Sequence, residues 1–173
     1  MTFLAKKEQA LKTLTIVIDT REKETARKNA RRADFERLGA SVIDKCLNFG
    51  DYSAFFTDPS TGETVDLGRE VVFERKKDIE ELVRCLTTYR ERFFAELQRA
   101  TEAGAHLIIA VESGSVSDLM NGKYNANVLA CSMAGTLFAI LNRYNVEVVW
   151  LTPETFAAYV YGVYRRMILD RVE

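Results

Sequence analysis

The sequence predicts one α/β domain built on a mixed β-sheet, and two observations carry this prediction. The chain has 173 residues, of which 47% are hydrophobic, so it has the size and apolar content of one compact folding unit. Short β-branched segments alternate with helical patterns, but three strand-like segments follow one another directly in the first half. Helical crossovers favour parallel strands and direct connections favour antiparallel strands, so we expect both kinds in one sheet.

The first half of the chain contains this succession of strands. Residues 14–18 (LTIVI) predict a strand that stops at Asp19, and residues 24–38 predict an Ala- and Arg-rich helix closed by Gly39. Further strands are predicted at residues 41–47, 50–56 and 69–76. The dense turn signal DPSTG lies between the last two of these strands and predicts a hairpin or meander.

The second half continues with alternating helices and strands. Residues 79–86 are predicted to be helical, and residues 89–103 repeat apolar positions at the spacing of an amphipathic helix. The remaining predicted elements are a strand at 106–111, a long helix at 125–144, a strand at 146–151 and a helix that begins at Pro153. An apolar stripe from Phe156 to Ile168 runs along the last helix at helical spacing, which suits packing on the core or on a second subunit.

Charge and hydropathy narrow the class of protein. Lysine and arginine total 24 against 25 aspartates and glutamates, so the net charge of −1 shows none of the basic surplus that marks many nucleic-acid-binding proteins. No apolar run approaches the roughly 18 residues of a membrane span, and the N-terminus lacks the apolar stretch of a signal peptide. We therefore expect a soluble, cytoplasmic protein with no membrane partner.

Few residues of the chain suit a zinc site. Cys46, Cys85 and Cys131 are far apart in the sequence and show no CxxC pattern, and His106 is the only histidine. Any metal would be held by carboxylates. Carboxylates favour Mg²⁺ or Mn²⁺, because hard oxygen ligands suit hard cations.

The most informative segments are the GDY and ERK motifs. Strand alternation puts Glu74 and Lys76 on one face and Arg75 on the other, and pairing within the meander brings Asp51 near the first face. Two carboxylates beside a lysine suit a divalent cation and an anionic substrate, as in phosphodiester hydrolysis. The alternative is a solvated edge strand with alternating charges, but the apolar VVF directly before Glu74 favours a site.

Three motifs together resemble one known family. IDTRE at residues 18–22, GDY at residues 50–52 and VFERK at residues 72–76 are similar to the motifs of the XPF-type nuclease domain. The resemblance extends over about residues 14–165, and the short chain looks most like the compact forms of bacteria and their phages. It implies one nuclease domain with a restriction-endonuclease-like core, which uses a metal ion to cleave DNA near branches, flaps or junctions in recombination or repair.

The resemblance also implies roles for individual residues. Asp51 and Glu74 would be the central metal ligands, and Lys76 would position water or stabilise charge. Further positions that match the motifs are Asp19 and Glu22, as additional acids at the metal centre, and the arginines Arg21 and Arg75. Arg75 is a candidate catalytic residue, and its alternative role is to tie the site together by pairing with a carboxylate.

Two groups of charged residues allow more than one interpretation. The family pattern places an acid shortly after ERK, where this chain offers Glu80 and Glu81; both also fit as favourable acids at a helix N-terminus. The basic helix would contact DNA phosphates or form an ordinary solvated face with intrahelical pairs. The candidate DNA-binding residues are Arg21, Arg27, Lys28, Arg31, Arg32 and Lys77.

Partners are expected as well. The predicted helix at residues 125–144 is apolar on nearly all sides, so it is a central core element or, together with the stripe on the last helix, buries one face in a second subunit. The family is typically dimeric through its nuclease domain, which favours a homodimer. No helicase or helix-hairpin-helix segment follows the domain in this sequence, so a separate targeting protein is expected. The alternative class is an inactive DNA-binding or assembly module, although such modules commonly lose the GD or ERK residues.

Overall fold

The computed structural model describes residues 2–22 and 25–172, without the side chain of Phe3. Seven strands and seven α-helices lie within these residues. The strands are β1 (Thr15–Ile18), β2 (Ser41–Asp44), β3 (Tyr52–Thr57), β4 (Thr64–Asp66), β5 (Val71–Lys76), β6 (His106–Val111) and β7 (Val146–Trp150). The helices are α1 (Phe3–Lys12), α2 (Ala26–Arg37), α3 (Ile79–Leu86), α4 (Arg90–Glu102), α5 (Val116–Met120), α6 (Ala130–Arg143) and α7 (Pro153–Arg171). None of these helices has the length and apolarity needed to span a membrane.

All strands belong to one mixed sheet of the restriction-endonuclease-like type. They lie in the order β2-β1-β3-β5-β6-β7, with β4 paired to the end of β3. Strand β3 runs antiparallel to its neighbours, whereas the other pairs are parallel. Parallel neighbours are joined through helices, and β3, β4 and β5 follow one another with short connections, as the sequence predicts. The pairing of Tyr52 with Phe73 puts the start of β3 beside the charged end of β5.

Hydrophobic clusters cover both faces of the sheet. On β6, Ile108 and Ala110 join the cluster with α7, whereas Leu107 and Ile109 join the cluster with α3, α4 and α6. This alternation is the period of a strand that is buried on both faces. Of the two alternatives for the stripe on α7, the structure shows packing on the core, since Phe156, Val160, Tyr164 and Ile168 are fully buried.

The predicted elements are confirmed with small changes in their bounds. Helix α3 and strand β6 have the predicted limits, whereas β2 ends at Asp44. Helix α2 begins at Ala26, and its predicted first residue, Glu24, lies outside the described residues together with Lys23. The predicted strand at residues 69–76 is β5, which starts at Val71, and a 3₁₀ turn at Leu67–Arg69 separates it from the short strand β4. Strand β4 and helices α1 and α5 are additional elements.

Helix α6 differs from the prediction in its start and in its burial. It begins at Ala130, and the segment before it is a loop in which the Asn125 N–H donates to a carboxylate oxygen of Glu80 (2.8 Å). The inner face of the helix is buried, but Phe138 is 52% exposed, and Leu129, just before the helix, is 72% exposed. The alternative that this helix is a core element buried on all sides is therefore wrong for a single copy of the chain.

Candidate active site

The turn before β3 places Asp51 beside the end of β5. The Asp51 N–H donates to the carbonyl of Phe73 (2.7 Å), and the Asp51 carbonyl accepts from the N–H of Asp19 (2.8 Å). The carboxylate is held as well, since its Oδ2 accepts from the N–H of Arg75 (2.8 Å). These contacts fix Asp51 between β1 and the strand that carries Glu74.

Gly50 explains why the motif needs a glycine before the acid. Its φ is +71°, in the left-handed region that favours glycine. A Cβ atom at this position would lie 3.1 Å from the carbonyl oxygen of Phe73, which is closer than the packing accommodates. The Gly50 N–H donates to Oε1 of Glu96 on α4 (2.9 Å). The turn that delivers Asp51 therefore contacts both β5 and α4.

Glu74 and Lys76 lie on one face of β5, as strand alternation predicts, and pair with each other. Lys76 Nζ is 2.5 Å from Glu74 Oε1, and both side chains are buried. The other oxygen, Glu74 Oε2, is buried without a hydrogen-bond partner in the described part of the chain. Such an oxygen is unfavourable unless another group satisfies it. We call Asp51, Glu74 and Lys76 the acid–lysine cluster.

Burial controls the charges of the acid–lysine cluster. Burial raises the pKa of Glu74 to about 7, although the paired Lys76 opposes this shift. Burial and the charge of Glu74 raise the pKa of Asp51 well above its usual value. Burial lowers the pKa of Lys76, but attraction to Glu74 outweighs this effect, so the pKa is raised and Lys76 stays protonated. Both acids are therefore harder to ionise than ordinary carboxyl groups, and positive charge placed nearby would favour their ionised forms.

The donor set fits a hard divalent cation, although it is not a complete cage. Asp51 and Glu74 offer carboxylate oxygens, one of them without a partner, and Mg²⁺ is usually bound by one or two carboxylates together with water and substrate phosphates. Within residues 2–22 and 25–172, no three acidic, cysteine or histidine side chains form a metal-binding group. The metal centre of four acids expected from the sequence is therefore not assembled.

Asp19 is held by hydrogen bonds and an ion pair outside this donor set. Its Oδ1 accepts from the N–H and the Nε of Arg21, and its Oδ2 accepts from Arg21 Nη2 and from the N–H of Leu47. Burial raises the pKa of Asp19, but these hydrogen bonds outweigh burial and keep the pKa below its usual value. The ionised carboxylate thus anchors the segment after β1 to the one after β2.

A buried ionic network lies on the opposite face of β5. Arg75 is 2.6 Å from Glu112 and 3.4 Å from Glu22. Arg31 of α2 contacts the same two acids, at 3.3 and 3.0 Å, and donates to the hydroxyl of Tyr52 at 2.8 Å. Arg75 therefore pairs with carboxylates, which is the alternative to a catalytic role for this residue. Glu22 belongs to the same network. Glu112 was not among the predicted site residues. The one feature of the sequence that could have indicated it is its position as an acid directly after an apolar strand.

The structure corrects the set of DNA-binding candidates on α2. Lys28 and Arg31 are only 2% and 3% exposed, so the prediction that they contact DNA is wrong. Lys28 pairs with Asp44 of β2 (2.9 Å), because the parallel strand brings this acid under the helix. Arg32 also pairs with Asp44 and donates to the carbonyl of Val42 (3.1 Å). These basic residues attach α2 to the sheet.

Asp51, Glu74 and Lys76, the acid–lysine cluster, are among the residues that line an open cleft of about 1110 Å³. The candidate DNA-binding residues that line it are Arg21, Arg27 and Lys77. Three further residues, outside the candidate set, line it from α4: Arg92, Glu96 and Arg99. Their spacing of four and three residues puts them on one face of the helix, which is the signal that would have grouped them.

The structure separates the two acids that follow ERK. Glu81 lines the cleft, and its Oε2 accepts from the N–H of Lys77 (2.8 Å). Glu80 lies elsewhere and accepts from the N–H of Asn125. Asp78 caps the helix by accepting from the N–H of Glu81 (2.9 Å). The start of α3 therefore presents one acid to the cleft and the other to the loop before α6.

The sheet order and its flanking helices form a restriction-endonuclease-like fold. XPF from Aeropyrum pernix shares the fold at a TM-score of 0.63 and 20% identity, covering 88% of this chain and 61% of that chain. XPF from Aeropyrum pernix in complex with DNA gives a TM-score of 0.63 and 21% identity, covering 92% and 67%. This chain thus spans about three fifths of the first structure's length. Among curated protein sequences, none matches the chain.

The sequence profile of the ERCC4 domain matches residues 18–163. This range contains both the GDY and the ERK motif, together with α4 and the first half of α7. The chain therefore belongs to the ERCC4 domain family. The family that the three motifs predicted, that of the XPF-type nuclease domain, is confirmed.

Proposed function

We propose that this protein is a metal-dependent, structure-specific DNA endonuclease. It would hydrolyse phosphodiester bonds near branches, flaps or Holliday-type junctions, with Mg²⁺ or Mn²⁺, in DNA recombination or repair. The observation that carries the proposal is the buried acid–lysine cluster in a cleft with basic side chains, where one oxygen of Glu74 has no donor among the described residues. Membership of a nuclease family supports the same reaction.

The cluster has the groups that phosphodiester hydrolysis requires. Asp51 and Glu74 would hold the cation, and a bound cation supplies Lewis-acid chemistry at the phosphate. Lys76 keeps its proton beside Glu74, so it would offset the negative charge that develops on the phosphate rather than take a proton from water. We assign Glu81, rather than Glu80, as the acid after ERK, because it lines the cleft.

The cleft also has the charge that a nucleic acid needs. Its basic lining comes from the segment after β1, the residue after β5, and α2 and α4: Arg21, Lys77, Arg27, Arg92 and Arg99. XPF from Aeropyrum pernix, which shares the fold, has been solved in complex with DNA. We therefore assign DNA as the substrate and these side chains as its phosphate contacts.

Assembly completes the proposal. Exposed apolar side chains are concentrated on α5, on α6 and between them: Val116, Met120, Val128, Leu129 and Phe138. A concentrated apolar surface of this kind marks an interaction site. We assign it to a homodimer, in line with the resemblance to dimeric nuclease domains. A separate targeting protein would add selectivity for branched DNA, since substrate shape is read by surfaces beyond the reacting centre.

The test is cleavage of labelled Holliday junction, flap, splayed-arm and linear duplex DNA of matched sequence, with Mg²⁺, Mn²⁺ or EDTA. We expect metal-dependent incision of at least one branched form and much weaker cutting of the linear duplex. Asp51→Asn and Glu74→Gln should each lower the rate by roughly 100-fold or more, the scale on which loss of one electrostatic stabiliser acts.

The matched comparison uses neighbouring acids of α3. Glu81→Gln should lower the cleavage rate, whereas Glu80→Gln, outside the cleft, should leave it close to that of the wild type. Wild-type rates for Asp51→Asn and Glu74→Gln would contradict the proposed centre. Tight binding of branched DNA without incision in either metal would favour an inactive module instead.

A further inference from the structure

The face of α4 that lines the cleft carries an acid between two arginines. Arg92, Glu96 and Arg99 lie on this face, whereas Phe93 and Leu97 face the core and are buried. The buried side chains fix the rotation of the helix, so Glu96 is directed toward the cleft. A carboxylate at this position works against the phosphate binding that the arginines favour. Its presence therefore calls for another role.

Glu96 has a specific partner in the turn that carries Asp51. Its Oε1 accepts from the Gly50 N–H at 2.9 Å. Gly50 precedes β3, so its N–H lies outside the ladder of that strand. The backbone groups of Asp51 are used by Phe73 and by Asp19. Glu96 thus supplies the acceptor for the remaining donor of this turn and connects it to α4.

We propose that Glu96 is a positioning residue for the nuclease reaction. By accepting the Gly50 N–H, it keeps the 50–51 turn in the conformation that holds Asp51 beside Glu74. The effect on cleavage rests on the proposed function, whereas the effect on the turn does not. Loss of the hydrogen bond frees the turn, and small displacements of a reacting group reduce rates strongly, with about 100-fold for roughly 1 Å.

Two substitutions separate the hydrogen bond from the charge. Glu96→Gln removes the charge but keeps a side-chain oxygen that accepts from Gly50, whereas Glu96→Ala removes both. Glu91→Ala is the matched control, because Glu91 is an exposed acid on the same helix and lies outside the cleft lining. Thermal unfolding of each variant checks that the fold is kept.

The first readout concerns the turn alone. Phe49–Gly50 is the only Phe–Gly pair in the sequence, so labelling Phe at the carbonyl with ¹³C and Gly with ¹⁵N gives one carbonyl-correlated amide signal, that of Gly50. Hydrogen exchange of this amide should accelerate by about tenfold or more in Glu96→Ala, as expected for loss of a hydrogen bond to a charged acceptor. It should remain slow in Glu96→Gln and Glu91→Ala. Unchanged exchange in Glu96→Ala would overturn the proposal.

The second readout is steady-state cleavage of the best branched substrate. Glu96→Ala should lower kcat by about tenfold or more with little change in KM, and Glu96→Gln should recover most of kcat. Equal losses in the two variants would overturn positioning and show that the charge acts instead. If the wild type cuts no substrate, the proposed function fails, and the exchange of the Gly50 amide alone decides whether Glu96 holds the turn.

Discussion

Asp51 and Glu74 are placed where both carboxyl groups are hard to ionise. Burial and the charge of Glu74 raise the pKa of Asp51, and burial with the charges of Glu96 and Glu81 raises the pKa of Glu74; Lys76 offsets only part of these effects. Such an arrangement lowers the stability of the metal-free protein at neutral pH, because ionised acids prefer the solvated, unfolded chain. Residues kept for chemistry are often unfavourable for stability in this way.

Asp51→Asn should therefore stabilise the protein in EDTA. The folded-state pKa of Asp51 is raised, so its contribution to stability is complete at low pH and is lost as the pH rises through that pKa, whereas Asn loses nothing. We expect the Tm of the variant to exceed that of the wild type by about 2–4 °C near pH 8, the shift that about 1 kcal/mol gives in a chain of this size. The difference should disappear near about pH 4, below which Asp51 is neutral in both states. A variant that is less stable than the wild type at both pH values would refute this account.

Among the secondary-structure elements, α2 shows that a basic helix is not by itself a DNA-binding surface. Arg27 reaches the cleft, but Lys28 and Arg31 point inward and pair with acids of the sheet. Through Arg31 the helix joins Glu112 and Glu22, which also hold Arg75 on β5. The helix therefore supports the strand that carries the ERK motif.

Loss of Arg31 should destabilise the fold more than loss of its neighbour. Arg31→Met leaves the fully buried Glu112 with one arginine instead of two, and breaking a buried ion pair costs about 3–5 kcal/mol. Arg32→Met removes a partly exposed pair and should cost less than about 1 kcal/mol. Urea unfolding followed by circular dichroism measures both. Equal losses would show that the network contributes no more than a surface pair.

Helix α4 should contribute to DNA binding through Arg92 and Arg99. Each phosphate contact to duplex DNA adds about 0.9 to the slope of log affinity against log salt concentration. The double variant Arg92→Ala/Arg99→Ala should therefore reduce the magnitude of this slope by about 2, measured by fluorescence anisotropy in EDTA. Arg165→Ala, an exposed position on α7 outside the cleft, is the control. An unchanged slope in the double variant would exclude α4 from the interface.

At the scale of the whole molecule, a single copy of the chain leaves the apolar side chains on α5 and α6 exposed to solvent. The inner face of α6 packs on the core through Met133, Leu137 and Ile140, while Phe138 and Leu129 remain exposed. This face lies on different elements from those that line the cleft. A homodimer formed here would leave the acid–lysine cluster of each subunit accessible.

A charge on this face should disrupt the homodimer. Phe138→Asp would place a carboxylate in the interface, where burial without a partner is unfavourable, so the variant should be a monomer. Leu4→Asp is the matched control, because Leu4 is 71% exposed on α1 and lies away from α5 and α6. Light scattering after size-exclusion chromatography gives the mass. A wild type that is monomeric at all concentrations, or a dimeric Phe138→Asp variant, would refute the assignment.

The sequence predicted most of the fold because the signals for it are local. The alternation of Glu74, Arg75 and Lys76 followed from the period of a strand, and the bounds of α3 and β6 followed from periodicity and caps. Two additional elements, β4 and α5, have three and five residues and are too short to show a period. The start of α6 was misplaced, since residues 125–129 are not part of the helix; in this segment the Asn125 N–H binds Glu80, a residue distant in sequence.

The sequence by itself determined the order of most strands and helices, the acid–lysine motif and the family, since these depend on side-chain period and on residues close together in the chain. Only the tertiary structure decided which charged residues face the cleft. Arg31 and Arg27 look alike in sequence. Arg31 is buried and pairs with Glu112, which is 81 residues away, whereas Arg27 lines the cleft. The physical reason is that the environment of a charge depends on partners brought together by folding, and local periodicity carries no information about them.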